Sequence, residues 1–152
     1  MSDHFAEVNW VYQAHASQTD TYTRDHTAIL ENGQIIANSA APAFLGNASM
    51  ANPETLLLAA LASCHMLTFL AIASKRGFQV SHYQDKAVGT LGKNNEGRMA
   101  ITHCTLNPKI EFIGETSPSP EELQKFHESS HRNCFIANSL SVQVDIVSQP
   151  SR

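Results

Sequence analysis

Two cysteines, Cys64 and Cys134, are the residues of this sequence best suited to redox chemistry. Cys64 lies in the middle of the most apolar stretch of the chain, and Cys134 follows a later, more polar segment. A thiol must ionise before it can attack an electrophile, and an unperturbed thiol is mostly protonated near neutral pH. Because burial raises a thiol pKa further, a reactive Cys64 needs a fixed positive charge or strong hydrogen-bond donors nearby. A buried cysteine is also common as a plain packing residue, so both interpretations stay open at this point.

Arg24 is the candidate for that positive charge. A guanidinium inside the strand-like segment Tyr22–His26 is costly unless it has an anionic partner. Glu54 could be this partner in a two-point contact, although it also suits the first turn of a helix simply through the helix dipole. Glu54 and Cys64 are ten residues apart, which is about 15 Å along one helix. One arginine hardly reaches both, so we expect a site shared between the subunits of a symmetric dimer.

The element that must position Cys64 is a long helix. Asn52 can cap its start, Pro53 suits the first helical position, and Glu54 favours the positive end of the dipole. We predict that the helix runs to about Arg76 and that Gly77 terminates it. Because it is apolar nearly all round, we expect other elements to surround it.

Alternating segments and turn residues predict the remaining elements. Ser119-Pro120-Glu121-Glu122 predicts the start of a second helix that reaches nearly to Cys134. The segment 98–112 contains Pro108, which places it at a sheet edge or splits it. We predict strands over residues 8–15, 22–31, 34–36, 80–91, 98–112 and 141–147, with a hairpin turn at Asn32-Gly33. The whole indicates one α+β domain spanning 1–152.

The charge balance excludes one class of partner. The chain of 152 residues carries a formal net charge of -4, and its longest basic run is Lys75-Arg76. This provides no electrostatic footprint for nucleic acid.

Membrane insertion is weighed against burial for the uncharged segment Thr55–Ala73, which has about the length of a bilayer span. It contains Ser63, His65 and Thr68, and aromatic anchors do not flank it. We therefore expect a buried helix of a soluble protein and no membrane partner. The N-terminus lacks the layout of a secretory signal, which favours the cytoplasm, where disulfides are more often catalytic or sensing than structural.

The run from Asn52 to Leu70, NPETLLLAALASCHMLTFL, resembles the cysteine-bearing helix of the OsmC/Ohr family of thiol peroxidases. The Asn-Pro-Glu start, the ten-residue interval from Glu54 to Cys64 and the small residues before Cys64 carry the resemblance. Arg24 falls where the family has an arginine in its N-terminal hairpin, and Cys134 falls at its second cysteine. The resemblance covers nearly the whole chain. It implies an OsmC-like fold, with antiparallel sheets around a long buried helix in an intertwined homodimer.

The resemblance also implies a reaction, the reduction of organic hydroperoxides to alcohols. Cys64 would be the peroxidatic thiolate that becomes a sulfenic acid, and Cys134 would condense with it to a disulfide. Arg24 would stabilise the thiolate and the leaving oxygen, with Glu54 orienting it. A dithiol reductant, lipoyl-type in the family, would reset the disulfide, and neither a metal nor an organic cofactor is implied.

The sequence departs from the better-known branches after the second cysteine. Those branches have Cys-Pro-x-Ser-Asn, whereas this chain has Cys134-Phe-Ile-Ala-Asn138. Losing the proline changes the local backbone, and the Cys64-His65-Met66 continuation indicates a less characterised branch.

Two alternative interpretations use the same residues. One is a redox sensor without turnover. The other is a zinc site, since His127, His131 and Cys134 are spaced to share a helix face opposite Cys64-His65. Cys104 lies outside any motif, and we interpret it as structural.

Overall fold

A computed structural model describes residues 1–114 and 116–149 of the chain. The residues form two compact units, Met1–Leu56 and Leu57–Arg152. The single-domain organisation stays a prediction from chain length.

The first unit is built on a three-stranded antiparallel sheet. Its strands are β1 (Ala6–Asn9), β2 (His26–Leu30) and β3 (Ile35–Asn38), in the order β1-β2-β3. The predicted turn between β2 and β3 is confirmed, and Gly33 occupies it with a φ of 80° that favours glycine. The strand expected over 8–15 is wrong in its bounds. The chain leaves the sheet at Trp10, whose indole N–H donates to the Thr23 carbonyl at 2.9 Å.

The long helix, α1 (Pro53–Lys75), is confirmed nearly residue for residue. The Asn52 side-chain oxygen accepts the Thr55 N–H at 2.9 Å, which satisfies a free donor of the first turn. Gly77 ends the helix with a φ of 83°. The chain itself buries one face of α1, on which every fourth residue is enclosed: Leu61, His65, Phe69 and Ala73. The other positions of the helix are half-buried or exposed within a single chain.

The second unit contains two sheets. In one, β4 (Val80–Asp85) pairs antiparallel with β7 (Pro108–Phe112). In the other, β5 (Val88–Lys93) pairs antiparallel with β6 (Met99–Leu106), and β8 (Gln143–Ile146) lies parallel to β6. The antiparallel expectation thus holds for every strand pair except β6 and β8.

The single strand expected over 80–91 is wrong, because the chain switches sheets between Asp85 and Val88. Asn107 lies between β6 and β7, where the chain also passes from one sheet to the other, and its hydrogen bonds fix the chain at residues 85 and 86. Its backbone N–H donates to the Asp85 carboxylate at 2.7 Å, and its side-chain amide donates to the Lys86 carbonyl at 2.9 Å. The split expected at Pro108 is confirmed.

Two helices complete the second unit. In α2 (Pro120–Asn133), the Ser119 hydroxyl accepts the Glu122 N–H, and the Glu122 carboxylate accepts the Ser119 N–H. This capping box satisfies two donors at the predicted helix start. A short helix, α3 (Phe135–Ser139), was not predicted. Cys134 is the single residue between α2 and α3.

Two separate clusters form the core of the second unit. The thiol cluster consists of Leu61, Cys104, Leu106 and Cys134, with Cys64 packed against it. The aromatic cluster consists of Phe69, Ala73, Ile110 and Phe126. The first half of α1 therefore packs among thiols, and its second half packs among aromatic rings.

Candidate thiol site

The structure brings Cys64 and Cys134 into one cluster. Cys64 is half-buried on α1, Cys134 is fully buried between α2 and α3, and both are free thiols. Burial and the neighbouring Cys64 thiol raise the pKa of Cys134 to about 11, which outweighs the opposing effect of the Ala137 N–H. The more accessible sulfur thus belongs to Cys64, and the neighbouring Cys134 thiol is protonated at neutral pH. Cys104 is also buried in this cluster, which agrees with a structural role.

Cys134 is held in place by its position between two helices. Its backbone N–H donates to the His131 carbonyl at 3.4 Å, which ends α2. Its sulfur accepts the Ala137 N–H at 3.3 Å, so the thiol also caps the start of α3. Sulfur is a weak acceptor, and this cap leaves the thiol easier to displace than a serine or aspartate cap.

Phe135 stands at the position where the better-known branches have a proline. It is the first residue of α3, the helical position that proline favours most. The helix therefore forms at the expected place without the proline ring, and the 82% exposed Phe135 ring projects outward.

Arg24 lies just before β2 and is half-buried. Its guanidinium donates to the Thr21 hydroxyl at 3.1 Å and to the Tyr22 carbonyl. It also stacks on the Tyr22 ring, 3.9 Å from the ring centroid. These contacts orient a charged group that forms no ion pair with the described residues of the chain.

Two hydrogen bonds hold the side chain of Asp25, the residue after Arg24. The Asp25 carboxylate accepts the Ser39 hydroxyl at 2.8 Å and the Asn47 amide at 3.3 Å. The loop that precedes α1 is thereby tied to the residue next to Arg24.

An apolar cavity of about 430 Å³ lies within the first unit, and Arg24 is part of its wall. Trp10 and Tyr22 supply aromatic surface, and Pro53 at the start of α1 also lines it. The guanidinium therefore borders a cavity suited to an apolar molecule with a polar end.

Glu54 is half-buried in the first turn of α1, and its Oε2 atom is buried without a hydrogen-bond partner among the described residues. Arg24 and Glu54 do not form an ion pair within the part of one chain that the structure describes. A buried carboxylate oxygen without a partner is costly, so Glu54 has unused capacity for a donor from outside its own chain.

The histidines are arranged differently from what the zinc hypothesis predicts. His65 of α1 and His127 of α2 form a buried hydrogen bond of 3.0 Å between Nε2 and Nδ1, with their rings nearly parallel. Burial lowers the pKa of both to about 4, and the neighbouring His127 and His131 contribute to the shift at His65. Within residues 1–114 and 116–149, histidine, cysteine and acidic side chains do not gather in a group of three that could hold a metal ion.

Sequence reasoning missed the pairing of His65 with His127. The signal that could have found it is the four-residue spacing of Leu61, His65 and Phe69, which places His65 on the buried face of α1. A histidine on that face needs a hydrogen-bond partner from the element packed against it.

Comparison with known proteins decides the family. The sequence model of the family described as OsmC-like protein matches residues 46–148. The chain belongs to the OsmC-like family. The OsmC-like fold expected from the resemblance is confirmed, as an α+β arrangement of three sheets and a long helix. Curated proteins include no match to this sequence.

Solved structures place the chain within this family more closely. It is 40% identical to an OsmC-like protein of unknown function from Vibrio cholerae, covering 98% of this chain and 100% of that one with a TM-score of 0.92. An organic hydroperoxide resistance protein from Elizabethkingia anophelis is 17% identical, with coverages of 99% and 98% and a TM-score of 0.77. An organic hydroperoxide resistance protein of Bacillus subtilis is 15% identical, with coverages of 97% and 98% and a TM-score of 0.69. The last two share the fold.

Family membership also bears on α1. By length and composition α1 is apolar enough to cross a membrane, but the core helix of a soluble protein meets the same criteria, and proteins of the family are soluble. One helix of this kind is therefore weak evidence for a membrane span.

Proposed function

We propose that this OsmC-like protein is a thiol peroxidase that reduces organic hydroperoxides. The observation that carries the proposal is the meeting of a half-buried and a fully buried free thiol, Cys64 and Cys134, in one cluster. Two organic hydroperoxide resistance proteins share this fold, which supports this class of substrate.

The chemistry proceeds in three balanced steps. The Cys64 thiolate attacks the O–O bond, which gives a Cys64 sulfenic acid and, after the alkoxide takes up a proton, an alcohol. The Cys134 thiol then attacks the sulfenic sulfur, which forms the Cys64–Cys134 disulfide and releases water. A dithiol of the lipoyl type reduces this disulfide by exchange and is itself oxidised to a disulfide. These steps consume one peroxide and one dithiol and require neither a metal nor an organic cofactor.

Arg24 and Glu54 have supporting roles in this proposal. The Arg24 guanidinium stabilises the Cys64 thiolate and the oxygen that leaves it, and Glu54 orients the guanidinium. The unpartnered Oε2 of Glu54 supports a contact between Glu54 and Arg24 across two subunits. The apolar cavity beside Arg24 suits the organic part of the hydroperoxide.

A homodimer is part of the proposal. Within the chain, α1 has four buried residues, Leu61, His65, Phe69 and Ala73, and Leu67 on another face is 62% exposed. Apolar surface of this kind marks an interface in a soluble protein. Light scattering on the purified protein tests it: a dimer is expected, and Leu67→Glu should yield monomers whereas Lys125→Glu on exposed α2 should not. A wild-type monomer at micromolar concentration would contradict the dimer.

Peroxide consumption tests the enzyme. Reduced protein is mixed with cumene hydroperoxide, with and without dihydrolipoamide. The proposal places the protein in the cytoplasm, where reducing conditions keep cysteines as free thiols. We expect many equivalents consumed with the dithiol, none by Cys64→Ser, and a strong reduction in Arg24→Ala and Glu54→Gln. Cys104→Ala is the matched control for loss of a thiol and should retain turnover.

The resolving role is tested separately with Cys134→Ser. This variant should stop as a sulfenic or over-oxidised Cys64 without an intramolecular disulfide. Unchanged turnover would remove Cys134 from the mechanism. Consumption of a single equivalent by the wild-type protein with dithiol present would favour the redox sensor over the enzyme.

A further inference from the structure

A second cavity, of about 720 Å³, lies within the second unit, and neither Cys64 nor Cys134 is among the described residues that line it. Its walls are the loop before α2, the first two turns of α2 and the segment that follows β8. This volume is within the range of about 300–1,000 Å³ that is typical of sites for small organic molecules.

His127 gives this cavity an unused hydrogen-bonding group. The residue lines the cavity, yet it is only 4% exposed. Its Nδ1 is engaged by His65, and its Nε2 is buried without a hydrogen-bond partner among the described residues. A buried polar atom that lacks a partner costs free energy, which a ligand with one hydrogen-bonding group would recover.

The wall of the cavity favours an uncharged ligand. None of the described residues that line it carries a charge, and its polar members are hydroxyl and amide side chains: Ser117, Gln124, Ser148 and Gln149. The start of α2 disfavours an anion, because the capping box satisfies the N–H groups of Ser119 and Glu122 and the first turn carries the carboxylates of Glu121 and Glu122. Burial keeps His127 neutral at physiological pH by lowering its pKa to about 4.

Apolar surface occupies the rest of the wall. Pro118, Pro120, Leu123 and Ile146 line it, and their apolar side chains can pack against the face of a ring. We propose that this cavity binds a small neutral ring compound that bears one hydroxyl group, with the hydroxyl hydrogen-bonded to Nε2 of His127. This assigns a ligand class to a cavity whose described lining contains neither thiol.

Phenol is the probe that matches this description, and two analogues isolate its features. Toluene has nearly the same shape without the hydroxyl, and benzoate carries a charge in its place. The full-length protein, labelled with ¹⁵N at histidine, is titrated with each compound and followed through the imidazole nitrogens by NMR. Phenol should shift the Nε2 resonance of His127 saturably with a stoichiometry of one. Toluene should bind at least about tenfold more weakly because it leaves Nε2 unpaired.

Two variants locate the binding. Ser148→Phe fills the cavity from an exposed position and should abolish the phenol-induced shift, whereas Ser141→Phe, also exposed but outside the cavity wall, should leave it unchanged. His127→Phe, which lacks the reporting imidazole and is therefore titrated by calorimetry alongside the wild-type protein, should bind phenol only as weakly as the wild-type protein binds toluene. Equal phenol binding by the wild-type and Ser148→Phe proteins would overturn the proposal, as would tighter binding of benzoate than of phenol.

Discussion

The two halves of α1 pack in chemically different surroundings. In the thiol cluster, small sulfur-bearing side chains meet Leu61 and Leu106, and Cys64 stays half-buried. In the aromatic cluster, Phe69 is fully enclosed and contacts the rings of Tyr83, Phe126 and His127 at centroid distances of 5.8, 6.0 and 4.7 Å. The second half of α1 therefore stabilises the fold through large aromatic rings, and its first half carries the Cys64 sulfur, which remains accessible.

Truncating Phe69 tests most strongly whether the aromatic cluster stabilises the fold. Phe69→Ala should lower the free energy of unfolding by about 3–5 kcal/mol, because it opens a cavity that surrounding rings cannot fill. Urea unfolding followed by circular dichroism measures the loss. Ser74→Ala, at an exposed position on the same helix, should change stability by less than about 0.5 kcal/mol. A similarly small loss for Phe69→Ala would show that the aromatic cluster is not the anchor.

Acid should weaken the contact between α1 and α2. The folded-state pKa values of His65 and His127 are lowered to about 4 by burial, so above the unfolded-state pKa of about 6.5 the two groups add no pH dependence. As the pH falls from 6.5 to 4, the unfolded chain takes up protons that the folded chain does not. Stability should therefore fall by up to about 1.4 kcal/mol per pH unit for each histidine.

Urea unfolding at several pH values between 7 and 4.5 measures this effect. The double variant His65→Leu, His127→Leu is the control, and its stability should depend less steeply on pH over this range. An equal slope in the two proteins would assign the acid sensitivity to other groups.

The raised thiol pKa predicts how disulfide formation responds to pH. Burial and the neighbouring Cys64 thiol raise the pKa of Cys134 to about 11 in the reduced protein. Burial remains after Cys64 is oxidised and keeps the pKa of Cys134 raised, so its thiolate fraction should still increase about tenfold per pH unit near neutral pH. After one equivalent of cumene hydroperoxide, the rate of Cys64–Cys134 disulfide formation should rise about tenfold per unit between pH 7 and 9. Quenched samples analysed by mass spectrometry provide the rate, with Cys104→Ala as the control. A rate that is independent of pH would show that ionisation of Cys134 does not limit disulfide formation.

The smallest expected effect concerns the cap of α2. Ser119→Ala removes one half of the capping box and should lower the free energy of unfolding by about 1 kcal/mol. Ser141→Ala, at an exposed position outside any helix, should be nearly neutral in the same urea measurement. A neutral Ser119→Ala would mean that packing, rather than capping, determines where α2 begins.

Local signals predicted the helices well. Asn52 and Gly77 mark the limits of α1, and Ser119 with Glu122 marks the start of α2, because capping depends on neighbouring residues alone. The strands were harder. The sheet switch after Asp85 depends on hydrogen bonds from Asn107, which is far away in sequence, and the parallel pairing of β6 with β8 has no local signal.

The candidate site was predictable where a motif carried it. The spacing from Glu54 to Cys64 and the position of Cys134 indicated the thiol pair through the family resemblance, and the structure places both thiols in one cluster. The partner of His65 could not be predicted, since it lies on another helix sixty-two positions away. The role of Cys134 as a cap for α3 also escaped prediction, because α3 is only five residues long.

The double attachment of Cys134 links its oxidation to the local backbone. Its sulfur holds the first turn of α3 through the Ala137 N–H, and that same sulfur would be the atom joined to Cys64. Forming the bond withdraws the acceptor from α3, a helix too short to persist by itself. Oxidised protein should therefore expose the amides around Ala137 to faster hydrogen exchange, which makes this short segment a built-in reporter of the redox state.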